Sequence, residues 1–218
     1  MGFDLRVVLD SLPLLGRGAL VTLAVSAAGL VLAGAIALPV ALARRSRWQL
    51  LRAASFLYLD VIRGTPLLLQ IFAIFYLPPL VGLDLSPFAS GVLALGLNGG
   101  AYTAEILRGG IQALHPGQVE SARSLGMSAL QALRRIVLPQ VLVGVLPALT
   151  NEAAALVKAS SLVSVLALVE LTRVGQQLVA SILHPAEIYV AVGAIYLAIN
   201  GALALVSGAA FRRLTVYR

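Results

Sequence analysis

The chain has 218 residues, 60% of them hydrophobic and 11% charged, with a formal net charge of +7 at pH 7, no cysteine and two histidines. A soluble domain of this size needs more polar surface than this composition supplies, so the sequence predicts an integral membrane protein embedded in a lipid bilayer. The lack of cysteine excludes disulfides and thiol chemistry, and two distant histidines argue against a metal site.

Five apolar segments are long enough to cross a bilayer, whose hydrocarbon core of roughly 30 Å needs about 20 helical residues. They lie at residues 18–43, 66–83, 88–104, 136–157 and 188–211. A further apolar segment at 161–169 is too short to cross, and we expect it to form a re-entrant or interfacial helix on the outer side. The predicted fold is therefore all-α, with one transmembrane domain over residues 1–218.

The second span is entered through Thr65 and Pro66, which allow two local structures. Thr65 can cap a helix that has Pro66 in its first turn, or Pro66 can kink a longer helix that begins near Leu51. The third span ends in Glu105 and Arg108, whose i,i+3 spacing predicts an ion pair. In the fourth span, prolines 139 and 147 predict bends.

The arginines predict the orientation of the chain in the membrane, because basic residues accumulate on the cytoplasmic side of membrane spans. They cluster after the first span, around the polar segment near residue 123, and at the C-terminus, whereas residues 78–88 contain none. The N-terminus is therefore expected outside and the C-terminus inside. Because the arginines border apolar spans instead of forming one basic face, we do not expect nucleic-acid binding.

The first helix is expected to be retained as an anchor. Asp4 and Asp10 occupy the flank where a removable signal peptide carries basic residues, and the apolar stretch that follows is long enough to span. Met1 and Gly2 do not begin a myristoylation signal, since position 6 is Arg6.

A polar segment at residues 115–139 interrupts the apolar chain. It begins His-Pro-Gly-Gln-Val-Glu-Ser-Ala-Arg-Ser-Leu-Gly-Met. Pro116 fits a first helical turn, and Gly126 can adopt the positive φ that ends a helix. Ser128 and Gln131 have the spacing of a capping box, which predicts a second helix after Gly126. Two short helices joined at a glycine would make a compact knob, although an ordinary amphipathic interfacial loop is the alternative.

The same segment resembles the "EAA" loop of ATP-binding-cassette (ABC) importer permeases. The resemblance is carried by Glu120, Ser121 and Ala122, by Gly126, and by an Ile-Val-Leu-Pro sequence that ends in Pro139. In that family the loop docks on the ATPase, which implies an ATPase-coupling role for these residues. The second position is serine here where the family has alanine, a change between two small residues.

Further motifs narrow the resemblance to permeases of polar amino-acid importers, the family of histidine, arginine, glutamine and glutamate uptake systems. They are Arg63-Gly64-Thr65-Pro66-Leu67-Leu68, Gly100-Ala101-Tyr102-Thr103-Ala104-Glu105-Ile106, Arg108-Gly109-Gly110-Ile111, Leu149-Thr150-Asn151-Glu152 and Glu170-Leu171-Thr172-Arg173. The resemblance implies a bacterial inner-membrane permease that works by alternating access on an amino-acid substrate. The implied partners are a second permease, identical or homologous, two ABC ATPase subunits and an extracytoplasmic solute-binding protein. ATP and Mg²⁺ would be held by the ATPase, because this chain has no phosphate-binding loop motif.

Candidate substrate-binding residues are polar groups within or beside the apolar spans. Glu152, next to Asn151, can line a pocket and bind an ammonium group, or make structural hydrogen bonds. Asn98 can line the pathway, but its neighbouring glycines favour close helix packing. Thr65 and Gln70 are either pathway residues or caps. The Glu170 and Arg173 pair is expected on an exterior helix, either touching the binding protein or, as we favour, solvated.

Other classes of membrane protein remain as alternatives. A secondary transporter or channel subunit fits the composition but leaves the segment from Glu120 to Pro139 unexplained. An integral-membrane enzyme needs clustered titratable residues that the sequence lacks. A structural assembly subunit does not explain an acid within a span.

The predicted orientation can be tested with reporter fusions. A reporter placed after Arg218 or near Arg123 should lie in the cytoplasm and one near Asp84 outside, because the arginine clusters outweigh Arg6 and Arg17 ahead of the first span. An external C-terminus would overturn the five-span arrangement.

Overall fold

The computed structural model describes residues 3–215, so Met1, Gly2 and the terminal position Arg218 lie outside the described residues. The described chain is helical and contains no strand, which confirms the all-α prediction. The α-helices are α1 (Leu5–Ala43), α2 (Gln49–Gly64), α3 (Leu67–Tyr76), α4 (Pro87–Ala113), α5 (Gly117–Ser124), α6 (Ala129–Ala132), α7 (Leu138–Ala159), α8 (Leu171–Ile182) and α9 (Pro185–Thr215). Two 3₁₀ segments, Pro78–Val81 and Ser160–Leu166, and one π-helical segment, Leu133–Val137, complete the described helices.

Three helical segments of the described chain are long and apolar enough to cross a membrane: Leu5–Ala43, Ala129–Leu166 and Pro185–Arg213. The pair α2 and α3 makes a fourth if the two helices, bent by 108°, count as one broken span. The predicted third span lies within α4, which has 27 residues. The total of five membrane spans therefore remains a prediction.

Helix α1 is longer than the predicted first span, because residues 5–17, which include Arg6, Asp10 and Arg17, are also helical. Asp4 caps the helix by accepting a hydrogen bond from the backbone N–H of Arg6 at 2.9 Å. Helix α4 begins in a similar way, with Ser86 accepting from Ala89 and Pro87 in the first turn.

Helices α1 and α4 pack closely because small residues line their contact. Gly96 faces Leu32, where an added Cβ would lie 2.5 Å from the leucine side chain, and Gly100 faces Ile36. The buried alanines of this seam are Ala33, Ala37, Ala41, Ala94, Ala101 and Ala104. Without a hydrophobic driving force between helices in lipid, such close backbone approach supplies the packing.

The chain turns sharply between α2 and α3, and neither predicted structure for this segment is correct. Helix α2 ends at Gly64, and Pro66, not Thr65, occupies the N-cap position of α3. The Thr65 hydroxyl instead donates to the carbonyl of Val61 at 2.8 Å. Pro66 therefore marks a break of 108° instead of a kink within one helix.

Residues 161–169 do not form a separate helix as expected, and their re-entrant or interfacial location stays a prediction. The 3₁₀ segment Ser160–Leu166 continues directly from α7, and Val163 and Leu166 are buried beside Ile71 of α3 and Leu95 of α4. It ends at Ala167, which has a left-handed φ of 60°. One side of the segment therefore packs in the core, whereas Leu162, Val165 and Val169 are exposed.

Glu170 is fully buried, which contradicts the predicted solvated pair with Arg173. Its carboxylate caps α8 by accepting the backbone N–H groups of Thr172 and Arg173 at 2.9 and 2.7 Å. The hydroxyls of Thr22 on α1 and Tyr196 on α9 also donate to it, at 3.2 and 3.1 Å. Four donors from three helices therefore stabilise this buried acid.

We expect Glu170→Ala to destabilise the fold by about 3 kcal/mol, because it leaves several buried donors without an acceptor. The melting temperature of the purified protein in detergent measures this effect. Asp84→Ala, which removes an exposed loop acid, serves as the control. Equal melting temperatures for the two variants would contradict a structural role for Glu170.

Candidate functional site

A cavity of about 220 Å³ lies between α3, α4 and α7 and contains two of the predicted site residues. Asn98 and Glu152 both line it, together with Tyr102. The remaining wall is apolar or small and consists of Leu67, Leu95, Gly99, Ala155, Leu156 and Ala159. The fold thus brings together two polar residues that are 54 positions apart in the sequence.

Glu152 is partly buried on α7, and it makes no hydrogen bond or ion pair with any residue that the structure describes. Lys158, on the same helix, is exposed and does not pair with it. A carboxylate without a partner in a cavity can accept hydrogen bonds from an ammonium or guanidinium group. Asn151 is exposed and does not line the cavity, although it is adjacent in sequence.

Gln70 joins the α2–α3 break to the cavity wall. The side chain is buried, and its Nε2 donates to the carbonyl of Ile62 at 2.7 Å and to Oγ1 of Thr65 at 2.9 Å. Its Oε1 accepts from Nδ2 of Asn98 at 3.1 Å. Gln70 and Thr65 therefore hold the bend and orient Asn98, and neither of them lines the cavity itself.

Close packing also operates at Asn98, as the glycines beside it suggested. A Cβ at Gly99 would lie 2.7 Å from Cδ1 of Leu156 and 3.3 Å from Cβ of Ala33. Helix α7 can approach α4 this closely only because position 99 has no side chain. Asn98 therefore lines the cavity beside a close helix contact, and its role in a transport pathway stays a prediction.

A carboxylate surrounded by three arginines lies two turns beyond Asn98 on α4. The predicted pair of Glu105 with Arg108 is present at 2.9 Å, and Glu105 also contacts Arg44 at 3.3 Å and Arg63 at 3.7 Å. The Arg63 guanidinium also lies 5.6 Å from the ring centre of Tyr102, at the cavity wall. These additional contacts join the ends of α1 and α2 to α4. From the sequence, i,i+3 helical spacing predicts only Arg108 as a partner of Glu105.

The polar segment folds as the predicted knob. Helix α5 ends in a Schellman motif, in which Met127 N–H donates to Ala122 and Gly126 N–H to Arg123. Gly126 has the expected positive φ, 78°. Ser128 and Gln131 then form a reciprocal capping box at the start of α6.

One face of the knob is anchored in the protein and the other is exposed. Ala122 is buried, whereas Glu120 and Ser121 are exposed. Leu125 and Leu130, on either side of Gly126, are 79% and 62% exposed. Sequence reasoning did not single out these two leucines, whose exposure follows from the tight turn between them. Both leucines lie on the exposed side of the turn, where a partner protein can contact them.

Pro139 lies where the knob continues into α7. Because proline has no N–H, it cannot donate to the carbonyl of Arg135, four residues earlier. The residues before it, Leu133–Val137, adopt π-helical structure, and Leu138 N–H donates to the Leu133 carbonyl. Gln140 then donates to the side chain of Gln118 on α5 at 3.3 Å, which ties the knob to α7.

The chain is similar to known transport proteins over nearly its whole length. It is 38% identical to the nopaline transport system permease protein of Agrobacterium fabrum, with 90% of this chain and 86% of that protein covered. It is 34% identical to the glutamine transport system permease protein of Escherichia coli, with 99% and 100% covered.

Structural comparison gives the same relationship. A crystal structure of an amino acid ABC transporter with histidines matches with a TM-score of 0.88 and 35% identity, covering 98% of this chain and all of that one. The family model for the inner membrane component of binding-protein-dependent transport systems matches residues 31–216. The chain therefore belongs to the family of binding-protein-dependent transport system inner membrane components.

Proposed function

We propose that this protein is the membrane-spanning permease subunit of an ATP-driven importer of polar amino acids. The observation that carries the proposal is the continuity of the knob with the cavity wall. Residues 129–166 form one helical segment that begins in the knob and contains Glu152. A partner that displaces the knob can therefore act on the cavity, which is the coupling that an ATP-driven permease needs.

The proposed substrate is an amino acid with a cationic or zwitterionic headgroup. Two relatives are permeases of nopaline and glutamine systems by name, and a structural neighbour is an amino acid ABC transporter. In this chain, Glu152 offers a carboxylate without a partner among the described residues, and Asn98 adds an amide on the facing wall. Glu152 would bind the ammonium group, with Asn98 orienting the ligand.

The proposed partners follow from the family and from the exposed knob. A separate ABC ATPase would dock on Leu125, Leu130 and Glu120, and would supply ATP hydrolysis. An extracytoplasmic solute-binding protein would deliver the substrate, and a second permease, identical or homologous, would complete the membrane unit. In this arrangement the N-terminus lies outside and the knob and C-terminus lie in the cytoplasm, as the arginine distribution favours.

Alternating access supplies the mechanism. Closure of the ATPase dimer would move the knob of each of the two permeases. Helix α7 would transmit this movement and shift Glu152 relative to α4. The cavity would then open alternately to the two sides of the membrane. A secondary transporter is the rival function, but it has no use for an exposed docking knob.

We expect Glu152→Gln to reduce uptake of a cationic or zwitterionic amino acid by about tenfold, because the amide keeps the size of the side chain but loses the charge-assisted hydrogen bond. Uptake into vesicles that contain the permease, its ATPase and the binding protein measures the effect. Basal ATP hydrolysis and the yield of the complex should stay unchanged.

Glu152→Ala distinguishes the possible roles of this residue. If neither Glu152→Gln nor Glu152→Ala formed the complex with the ATPase, Glu152 would be a structural group. Transport at the parental rate in both would make it a bystander.

We expect Glu120→Lys and Gly126→Val to uncouple ATP hydrolysis from transport. The first reverses a charge on the exposed face of the knob, and the second strains the left-handed turn at Gly126 by about 1–2 kcal/mol. The measurement is the ratio of transport to ATP hydrolysis at equal abundance in the membrane.

Gly144→Val is the matched control, because Gly144 lies in α7 without a positive φ and has open space where a Cβ would be added. Normal coupling in Glu120→Lys and Gly126→Val would remove the knob from the proposed mechanism.

A further inference from the structure

An apolar groove of about 580 Å³ lies between the end of α1 and the first half of α2, and shares only Leu42 with a pocket beside the knob. Its walls include Pro39, Leu42 and Val40 from α1 and Leu51, Ala54 and Tyr58 from α2. At one end lies Ser46, in the turn that joins the two helices. Neither the cavity nor the knob uses this groove.

The apolar surface of the groove continues along an outer face of α2. Leu50, Leu57 and Val61 are 82%, 66% and 50% exposed. Their spacing of seven and four residues places them on one side of the helix, whereas Ser55 and Leu59 on another side are buried. An apolar face of this extent on a membrane protein needs an apolar neighbour.

Three arginines at and just after the α1–α2 turn have no acidic partner among the described residues: Arg45, Arg47 and Arg52 are exposed. Arg44 differs from them, because it contacts Glu105 and also stacks 3.8 Å from the ring centre of Phe56. The turn therefore carries positive charge, without an acidic partner among the described residues, next to Ser46 at the end of the groove.

Trp48, in the same turn, indicates the depth of this surface. Its side chain is 63% exposed, next to Arg47. Tryptophan accumulates at the level of lipid headgroups, where its ring contacts both acyl chains and polar groups. The turn thus has the residues of a membrane interface, with the groove extending from it toward the apolar core.

We propose that this groove is a binding site for an anionic phospholipid. An acyl chain would lie in the groove against Leu51 and Ala54, and the phosphate would bind Arg47 and Arg52. In the orientation proposed above, the lipid comes from the cytoplasmic leaflet. The site is separate from the transport cavity and goes beyond the proposed transport function.

Charge and shape together favour this occupant over others. A neutral lipid would fill the groove but leave the arginines without an anion. A second copy of the chain, which has a net charge of +7, would bring further arginines to a basic turn. A bound anionic lipid satisfies both halves of the site and packs α2 against α1, next to the contact between Arg44 and Glu105.

The test is lipid retention by the full-length chain purified in detergent, measured by native mass spectrometry with dioleoyl phosphatidylglycerol and dioleoyl phosphatidylcholine as probes. The parent should retain phosphatidylglycerol selectively. The variant Arg47→Ala/Arg52→Ala should weaken that retention by about fivefold for each arginine removed. The matched control Arg134→Ala/Arg135→Ala removes the same charge from an exposed pair beside a polar pocket, and should have no effect.

A second variant tests the groove independently of the charge. Ala54→Trp fills the groove while every arginine remains, and it should also abolish selective retention. Equal losses of phosphatidylglycerol retention in the two double-arginine variants would show only diffuse electrostatic attraction and would overturn the proposal. Full retention in Ala54→Trp would also overturn it.

The chain has no cysteine, so Ala54→Cys can form a disulfide only between copies. In lipid bilayers of the same phosphatidylglycerol, this variant should stay uncrosslinked. Complete crosslinking would show that a second copy covers the groove, and would overturn the lipid assignment.

Discussion

The close contact of α1 with α4 is the constraint on which the other helices depend. Glycines and alanines remove the side chains that would otherwise separate the two backbones, and Gly96 and Gly100 do so where Leu32 and Ile36 press against α4. This contact fixes the position of α4, which carries both Asn98 and Glu105. Arg44, at the end of α1, reaches Glu105 only because the two helices lie side by side. The same small-residue surface continues at Gly99, where Leu156 of α7 packs and so forms one wall of the cavity.

Three acids within or beside the apolar helices differ in their partners: Glu170 is fully buried, whereas Glu105 and Glu152 are partly buried. In an apolar environment a carboxylate is stable only when donors or cations surround it, because lipid offers no water as a substitute. Glu170 has four donors from α1, α8 and α9, and Glu105 has three arginines. Glu152 has no partner among the described residues and faces a cavity. The first two acids are satisfied by the fold itself, whereas Glu152 remains able to accept a ligand.

Several local patterns in the sequence predicted the local structure correctly, whereas both structures proposed for Thr65 and Pro66 were wrong. The capping box at Ser128, the left-handed Gly126 and the pairing of Glu105 with Arg108 each depend on residues a few positions apart, and all three are present. Features that need distant partners could not be predicted in the same way. Burial of Glu170 depends on Thr22 and Tyr196, which are 148 and 26 positions away. The segment at 161–169 was expected to be a separate helix, and the sequence did not show that Ser160–Leu166 continues directly from α7 and packs on one side against α3 and α4. The cavity brings together Asn98 and Glu152 from two helices, which the sequence could not show, whereas the step of about 100° per helical residue already separates Asn151 from Glu152.

The π-helical segment bears on how the knob would drive the cavity. From Ala129 to Glu152 the helical path is roughly 35 Å at the usual rise per residue. An unbroken α-helix would transmit both axial and lateral displacement, whereas Pro139 forces a change of hydrogen-bond register at Leu133–Val137. The π-type bond from Leu138 to Leu133 and the contact of Gln140 with Gln118 keep the two parts attached. Val119 of α5 and Leu133 also pack against the buried cluster that contains Val137, so apolar contacts hold the knob to the start of α7 as well. In the proposed mechanism, the junction therefore passes movement of the knob to Glu152.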